Sequence, residues 1–222
     1  MRWCLQSDAE GVLFGDERGC AEFEQRLLRF DGPSERDPSG DDEVLYVLRG
    51  RGSATVGGER AELEAGTAVY IAAGGAWSVH EADGLELLSV VVRDPLPANG
   101  ARAAVVSVDD AEAGEATSGR MFRLLAPCPS ATQFVGYIPP GRAPDHYHRY
   151  DEVVYVLEGT GALHVDGESE PLRPGSCIHL PATLVHSLEN FGPGEMQVLG
   201  VFRPAGSPAE AYYPDGSLAY QY

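Results

Sequence analysis

"DEVVYVLEGTG", Asp151–Gly161, has a near-copy upstream in "DEVLYVLRGRG", Asp42–Gly52, identical at eight of eleven positions and offset by 109 residues. The offset persists without a gap. "LEAGTAVYIAAGGAWSV" from Leu63 falls under "LRPGSCIHLPATLVHSL" from Leu172, so that Gly66 matches Gly175, and upstream Gly32 matches Gly141. Self-similarity at a fixed offset is the mark of a repeated structural unit. The chain therefore reads as one module present twice, at roughly 1–103 and 104–222.

Each copy has the pattern of a β structure. Glu43–Leu48 and Glu152–Leu157 are rich in Val, Leu and Tyr and run into a Gly-x-Gly turn, as expected of strands bounded by turn residues. "ALHVDGESEPLRPG", from Ala162, reads as strand, Asp-Gly turn, strand, turn. "SCIHLPATLVHSLEN", from Ser176, reads as strand, proline-containing turn, strand. The helical candidates are short: "DDAEAGEA" from Asp109 and "SPAEAYY" from Ser207. Many short strands separated by regular turns predict an all-β chain of two tandem jelly-roll barrels with a few short helices.

Composition narrows the function. The 222 residues, 43% hydrophobic, are enough for packed cores. A formal charge of -18 repels phosphate backbones and anionic membranes, so neither nucleic acid nor a membrane surface is an expected partner. Every basic residue is an arginine. Without lysine there is no Schiff-base chemistry, no pyridoxal-phosphate anchor and no P-loop. Cys4, Cys20, Cys128 and Cys177 form no C-x-x-C pair, which argues against a cysteine zinc site. The N-terminal stretch "MRWCLQSDAEG" has no apolar core of a signal peptide, so a cytoplasmic location with free thiols is expected.

Chemistry concentrates in "PDHYHRYDE", Pro144–Glu152. His146 and His148 are two residues apart, and on a strand such residues share a face. Glu152 follows across a short turn. His186 lies beyond "HLPAT", where Pro181 marks the turn that brings the chain back beside the first strands. An isolated H-x-H is more often structural. Three imidazoles and a carboxylate together suit one divalent ion (Fe, Mn, Ni, Co or Zn) and leave up to two octahedral positions for substrate, water or dioxygen.

Two stretches carry a family resemblance. "G-x4-H-Y-H-x3-E-x6-G", Gly141–Gly159, resembles the first cupin motif, with a gap before the histidine pair one residue shorter than the usual five. "G-x5-P-A-T-x2-H-x3-N", Gly175–Asn190, resembles the second, with Thr183 where glycine is common. The resemblance spans both modules and implies a bicupin: two small β-barrels, with the metal held inside the second by His146, His148, Glu152 and His186. It also implies a metal-dependent reaction on a small polar or carboxylated molecule, by a dioxygenase or by a decarboxylase- or isomerase-type enzyme. The alternative is a non-catalytic cupin that senses or stores a small ligand.

Shifted back by 109, the four ligand positions become Asp37, Ser39, Glu43 and Trp77. Only the glutamate persists, so the first module is expected to be metal-free, with Trp77 filling the space of an ion. In the second, strand parity places Val154, Val156, Leu184 and Leu188 on the inner face, and His164 and His179 on the other. Arg142, just before the histidine pair, is a candidate for a bidentate grip on a substrate carboxylate. Tyr150 is the candidate acid or donor, with Tyr137 and Tyr147 also near in sequence. The C-terminal "YYPDGSLAYQY" is expected to cover a barrel mouth or to build an interface, and a homodimer is the expected assembly.

Overall fold

A computed structural model describes residues 2–97 and 102–219. Its strands, in chain order, are β1 (Cys4–Gln6), β2 (Gly11–Phe14), β3 (Phe23–Phe30), β4 (Ser34–Arg36), β5 (Asp42–Val56), β6 (Glu59–Glu64), β7 (Thr67–Ile71), β8 (Trp77–Val92) and β9 (Ala103–Ser107). There follow β10 (Glu112–Glu115), β11 (Met121–Leu124), β12 (Thr132–Ile138), β13 (Gly141–Arg142), β14 (Asp151–Glu158), β15 (Gly161–Val165), β16 (Glu168–Leu172), β17 (Ser176–Leu180), β18 (His186–Asn190) and β19 (Met196–Arg203). The expected all-β architecture is the observed one. The described helical segments are single 3-10 turns.

The chain forms two compact units that are not contiguous halves. The N-terminal unit comprises Ala9–Ala111 and Leu125–Gln133; the C-terminal unit comprises Met1–Asp8, Glu112–Leu124 and Phe134–Tyr222. A cut between 103 and 104 thus leaves three short segments on the other side of the line. The reason is pairing. β1 hydrogen-bonds along β17, Cys4 opposite Ile178, while β9 lies along β7.

In the N-terminal unit the sheet order is β2-β3-β8-β5-β7-β9, with β4 on β8 and β6 on β5. β5 and β8 are long enough to bend through both walls, and their register shifts at Val47/Arg49 and Arg49/Arg51 mark the bulges that let them do so. Leu45, Val47, Val69, Ile71, Trp77 and Leu87 are among the side chains that close its core.

The C-terminal unit has a seven-stranded sheet, β1-β17-β14-β19-β12-β11-β10, and a four-stranded one, β13-β18-β15-β16. Alternation along β14 sends Val154 and Val156 into the core with Leu163, Ile178 and Val198. Leu184 and Leu188 are partly buried against that core.

Both helical expectations give way to other structure. "DDAEAGEA" becomes a 3-10 turn, Val108–Asp110, followed by β10, which pairs with β11 from Glu112↔Leu124 to Glu115↔Met121. A helix this short cannot recover its nucleation cost, whereas a hairpin satisfies the same backbone groups. "SPAEAYY" is one turn, with Glu210 N donating to Ser207 O at 3.0 Å, before Tyr212 bridges to Tyr147.

Candidate metal centre

The two motifs of the C-terminal unit are clipped together through their backbones. His146 N donates to His186 O at 3.0 Å and His186 N to His146 O at 2.8 Å. Thr183 N donates to His148 O at 2.7 Å. These bonds bring the three imidazoles into one group, with ring centroids 4.6 Å apart for His146 and His186, 5.0 Å for His146 and His148, and 5.2 Å for His148 and His186. One nitrogen from each ring lies within 4.8 Å of the others.

The second nitrogen of each ring is also accounted for. His146 Nδ1 sits 2.9 Å from Pro144 O, His148 Nδ1 2.7 Å from Glu210 O, and His186 Nδ1 2.9 Å from Leu184 O. A carbonyl only accepts, so each Nδ1 carries the proton and each Nε2 lone pair is left for a ligand. Burial holds all three rings below the ordinary imidazole range, His148 to about 3, with the neighbouring imidazoles adding to the effect at His148 and His186. They are therefore neutral at neutral pH, the form that binds a metal.

Glu152 lines the same cavity from β14, outside the tight group of three. Among the described residues its carboxyl has no hydrogen-bond or ion-pair partner, and burial alone pushes it up to about 8. Space for it depends on Gly200 across the strand pair: a Cβ there would lie 2.9 Å from Glu152 Oε1 and 2.3 Å from the Phe134 ring. Three oriented Nε2 atoms and a desolvated carboxyl with no partner are a donor set that fits a divalent cation, whose charge would draw Glu152 to its ionised form.

Of the candidate catalytic residues, Tyr150 lines the cavity. Its ring stacks on His148 at 4.6 Å and on Phe202 at 3.9 Å. Burial holds its phenol well above the usual tyrosine range, next to Glu152 and Glu210, so it donates rather than acts as a base. Arg142 does not reach the cavity. It sits on β13, its guanidinium 2.7 Å from Asp145 and 3.3 Å from Ser187 Oγ, because the acid three residues ahead captures it. Tyr137 lines the cavity, while Tyr147 stacks outside it on Tyr212. His164 pairs with Glu189 at 2.8 Å and His179 with Asp151 at 3.3 Å; neither belongs to the group.

The cavity, about 90 Å³, holds further residues that no motif announced. Phe122, Phe134, Ile138, Val198 and Met121 build apolar wall, and Arg120 and Thr117 stand at the tip of the β10–β11 hairpin. Pro208 and Ala211 come from the C-terminal segment, which also supplies the Glu210 carbonyl. The last residues of that segment, 220–222, lie outside the described residues.

The corresponding place in the N-terminal unit is built differently. Trp77 is buried, and its indole nitrogen donates to Glu43 Oε2 at 3.0 Å; Ser89 Oγ bonds the other carboxylate oxygen. Phe30 meets the Trp77 ring edge-on at 5.9 Å. Asp37 and Ser39 line a polar depression beside Glu35 and Arg36. The one metal-type group found among the described residues is the histidine group of the C-terminal unit.

Comparison with known proteins agrees with this construction. A model of the cupin domain matches twice, over residues 29–92 and 134–202, and the chain belongs to the cupin family. It is 33% identical to the polyketide synthase CurC of Streptomyces cyaneus over 104 residues, covering 44% of this chain and 68% of CurC. It is 39% identical to quercetin 2,3-dioxygenase of Bacillus subtilis over 80 residues, 32% of this chain but 24% of that protein. Among solved structures it resembles Ylba from E. coli, with a TM-score of 0.71, 15% identity and coverage of 90% and 86% of the two chains. A variant of Bacillus subtilis oxalate decarboxylase superposes with a TM-score of 0.69 at 14% identity, covering 90% and 77%. Both likenesses are of fold. No described helix is long and apolar enough to cross a membrane.

Proposed function

We propose that this cupin is a metal-dependent enzyme that transforms a small polar or carboxylated molecule in the C-terminal cavity, with His146, His148, His186 and Glu152 as ligands of one divalent ion. The observation that carries the reading is the set of three Nδ1–carbonyl contacts, at 2.7–2.9 Å, which leaves an Nε2 lone pair on each of three rings that lie within one group. A structural histidine cluster has no need of three identical tautomers. Once bound, the ion supplies Lewis acidity, or with a redox-active metal a place for dioxygen.

The chain's own residues do the rest. Tyr150 stacks on the face of the His148 ring while the Glu210 carbonyl accepts from its edge at Nδ1. The apolar wall excludes water and strengthens each polar contact inside. Relatives support both branches of the chemistry: quercetin 2,3-dioxygenase in sequence, and in fold oxalate decarboxylase, whose structure is described with Mn(II) centres. A second reading, a non-catalytic ligand-binding cupin, draws on the auxin-binding protein T85 of Nicotiana tabacum, 33% identical over 97 residues and matched over half its length.

Metal analysis of the purified protein, followed by oxygen-uptake assays with Fe(II) against small acids and diketones, tests the proposal. One divalent ion per chain, lost in His148→Ala, is expected. A protein that retains no ion and is indifferent to that substitution overturns it.

A further inference from the structure

Arg120 has no place in the metal site, yet it lines the cavity with His146, and a smaller depression next to it is lined by Arg120, His146, Pro144 and Tyr213. Its charge reaches the triad, where it disfavours protonation of His146 and His186. The hairpin aims it there. Ala116 N donates to Arg120 O at 2.7 Å and Arg120 N to Thr117 O at 3.3 Å. Ser118 (φ 60°) and Gly119 (φ 71°) turn the chain through the left-handed region between them. The hairpin's acids, Glu112 and Glu115, are exposed, and among the described residues the Arg120 guanidinium has no ion-pair partner. In a chain of charge -18, a half-buried arginine left unpaired is costly unless something anionic comes to it.

We infer that Arg120 grips the anionic head of the substrate, so that the cavity selects small carboxylate-type anions with an apolar body. The inference rests on the cavity being the reaction site, as proposed above. Among the described residues, Arg120 is the only arginine lining the cavity and Glu152 the only acid. A guanidinium offers two parallel N–H donors to a planar carboxylate. Elsewhere in the lining, Phe134, Ile138, Leu188 and Val198 offer only apolar contact. A cavity of about 90 Å³ suits a small organic acid rather than an extended ligand. Arg120 is thus a specificity-determining residue, in the role that sequence position suggested for Arg142.

The test is calorimetric titration of acetate, isovalerate and benzoate, each beside its neutral amide. It uses wild type, Arg120→Gln and Arg120→Lys, both EDTA-treated and Co(II)-loaded. Wild type is expected to prefer at least one acid over its amide by roughly tenfold or more. Arg120→Gln should lose that preference, Arg120→Lys should keep part of it, and Arg142→Gln should keep all of it. Co(II) stoichiometry should be unchanged in every variant. Failure to bind Co(II) counts against the metal reading alone, since the metal-free titrations still decide the arginine. No preference for any acid in wild type, or a preference that survives in Arg120→Gln, overturns the inference.

Discussion

The indole nitrogen of Trp77 donates to Glu43 at 3.0 Å, and these residues occupy in the N-terminal unit the positions that His186 and Glu152 occupy in the C-terminal one. The same strand position therefore carries a buried glutamate in both units, satisfied by Trp77 and Ser89 in one and, among the described residues, without a hydrogen-bond partner in the other. Glu43 thus has a structural role in the N-terminal unit: it holds the tryptophan that stands at the His186 position. Trp77→Phe keeps most of the apolar packing but removes the N–H, leaving a buried carboxylate short of one bond. The expected cost is about 2 kcal/mol of stability, read by urea denaturation, with the metal content of the protein unchanged.

The metal-free protein should have its own pH signature. Glu152 is held up to about 8 in the folded chain against an ordinary 4.5. Above pH 6.5 the unfolded chain has already released that proton and the folded one has not. Stability therefore falls as pH rises toward 8, at about 1.4 kcal/mol per unit. The buried histidines act in the opposite sense. Their folded values lie below the ordinary 6.5, His148 at about 3, so stability falls as pH drops below 6.5 and the unfolded chain takes up protons that the folded one refuses. In EDTA these four groups together place the optimum near pH 6.5. Urea midpoints at pH 5, 6.5 and 8 check this. Glu152→Gln should flatten the arm from 6.5 to 8, and so should saturating Zn(II), which favours the ionised carboxylate.

The fold was legible because its two signals are periodic: a repeat at 109 residues and β alternation within each copy. The histidines were legible because H-x-H has a fixed meaning on extended chain and Pro181 announces the return. Arg120 was not legible. It follows an acidic stretch and precedes a second arginine, Arg123, and its position depends on a hairpin closed by backbone bonds and two left-handed residues, none of which leaves a side-chain pattern. Arg142, close to His146 in sequence, pairs with Asp145 and lines a separate depression that also touches His186, and that pairing leaves no mark in the sequence pattern. The assignment of residues 1–8 to the C-terminal unit had no signal either, since β1 is a three-residue strand too short to show alternation.

Thr183 adopts φ 67°, a conformation costly for a β-branched residue, while its amide holds His148 O at 2.7 Å. Thr183→Gly relieves the strain and keeps that bond. Part of the gain is offset by the greater freedom of glycine in the unfolded chain. A net stabilisation of about 0.5–1 kcal/mol is expected, seen as a higher thermal midpoint with metal affinity unchanged. A lower midpoint would mean that the threonine side chain does more than tolerate its backbone.

The C-terminal segment reaches the histidines through the Glu210 carbonyl, 2.7 Å from His148 Nδ1. What holds that carbonyl in place is Tyr212, stacked on Tyr147 at 5.5 Å, covered by the Arg149 guanidinium at 4.1 Å from its ring, and donating its hydroxyl to Glu210 Oε1 at 2.8 Å. Tyr212→Ala removes all three contacts and touches no ligand. If the segment fixes the His148 tautomer, metal affinity should fall by roughly tenfold or more, the usual effect of losing a partner behind a metal-binding imidazole. Tyr212→Phe, which keeps both ring contacts, should lose much less. Competition with a chelator of known affinity gives the three dissociation constants, and equal values for Tyr212→Ala and wild type would show that His148 is oriented by Tyr150 and the surrounding backbone alone.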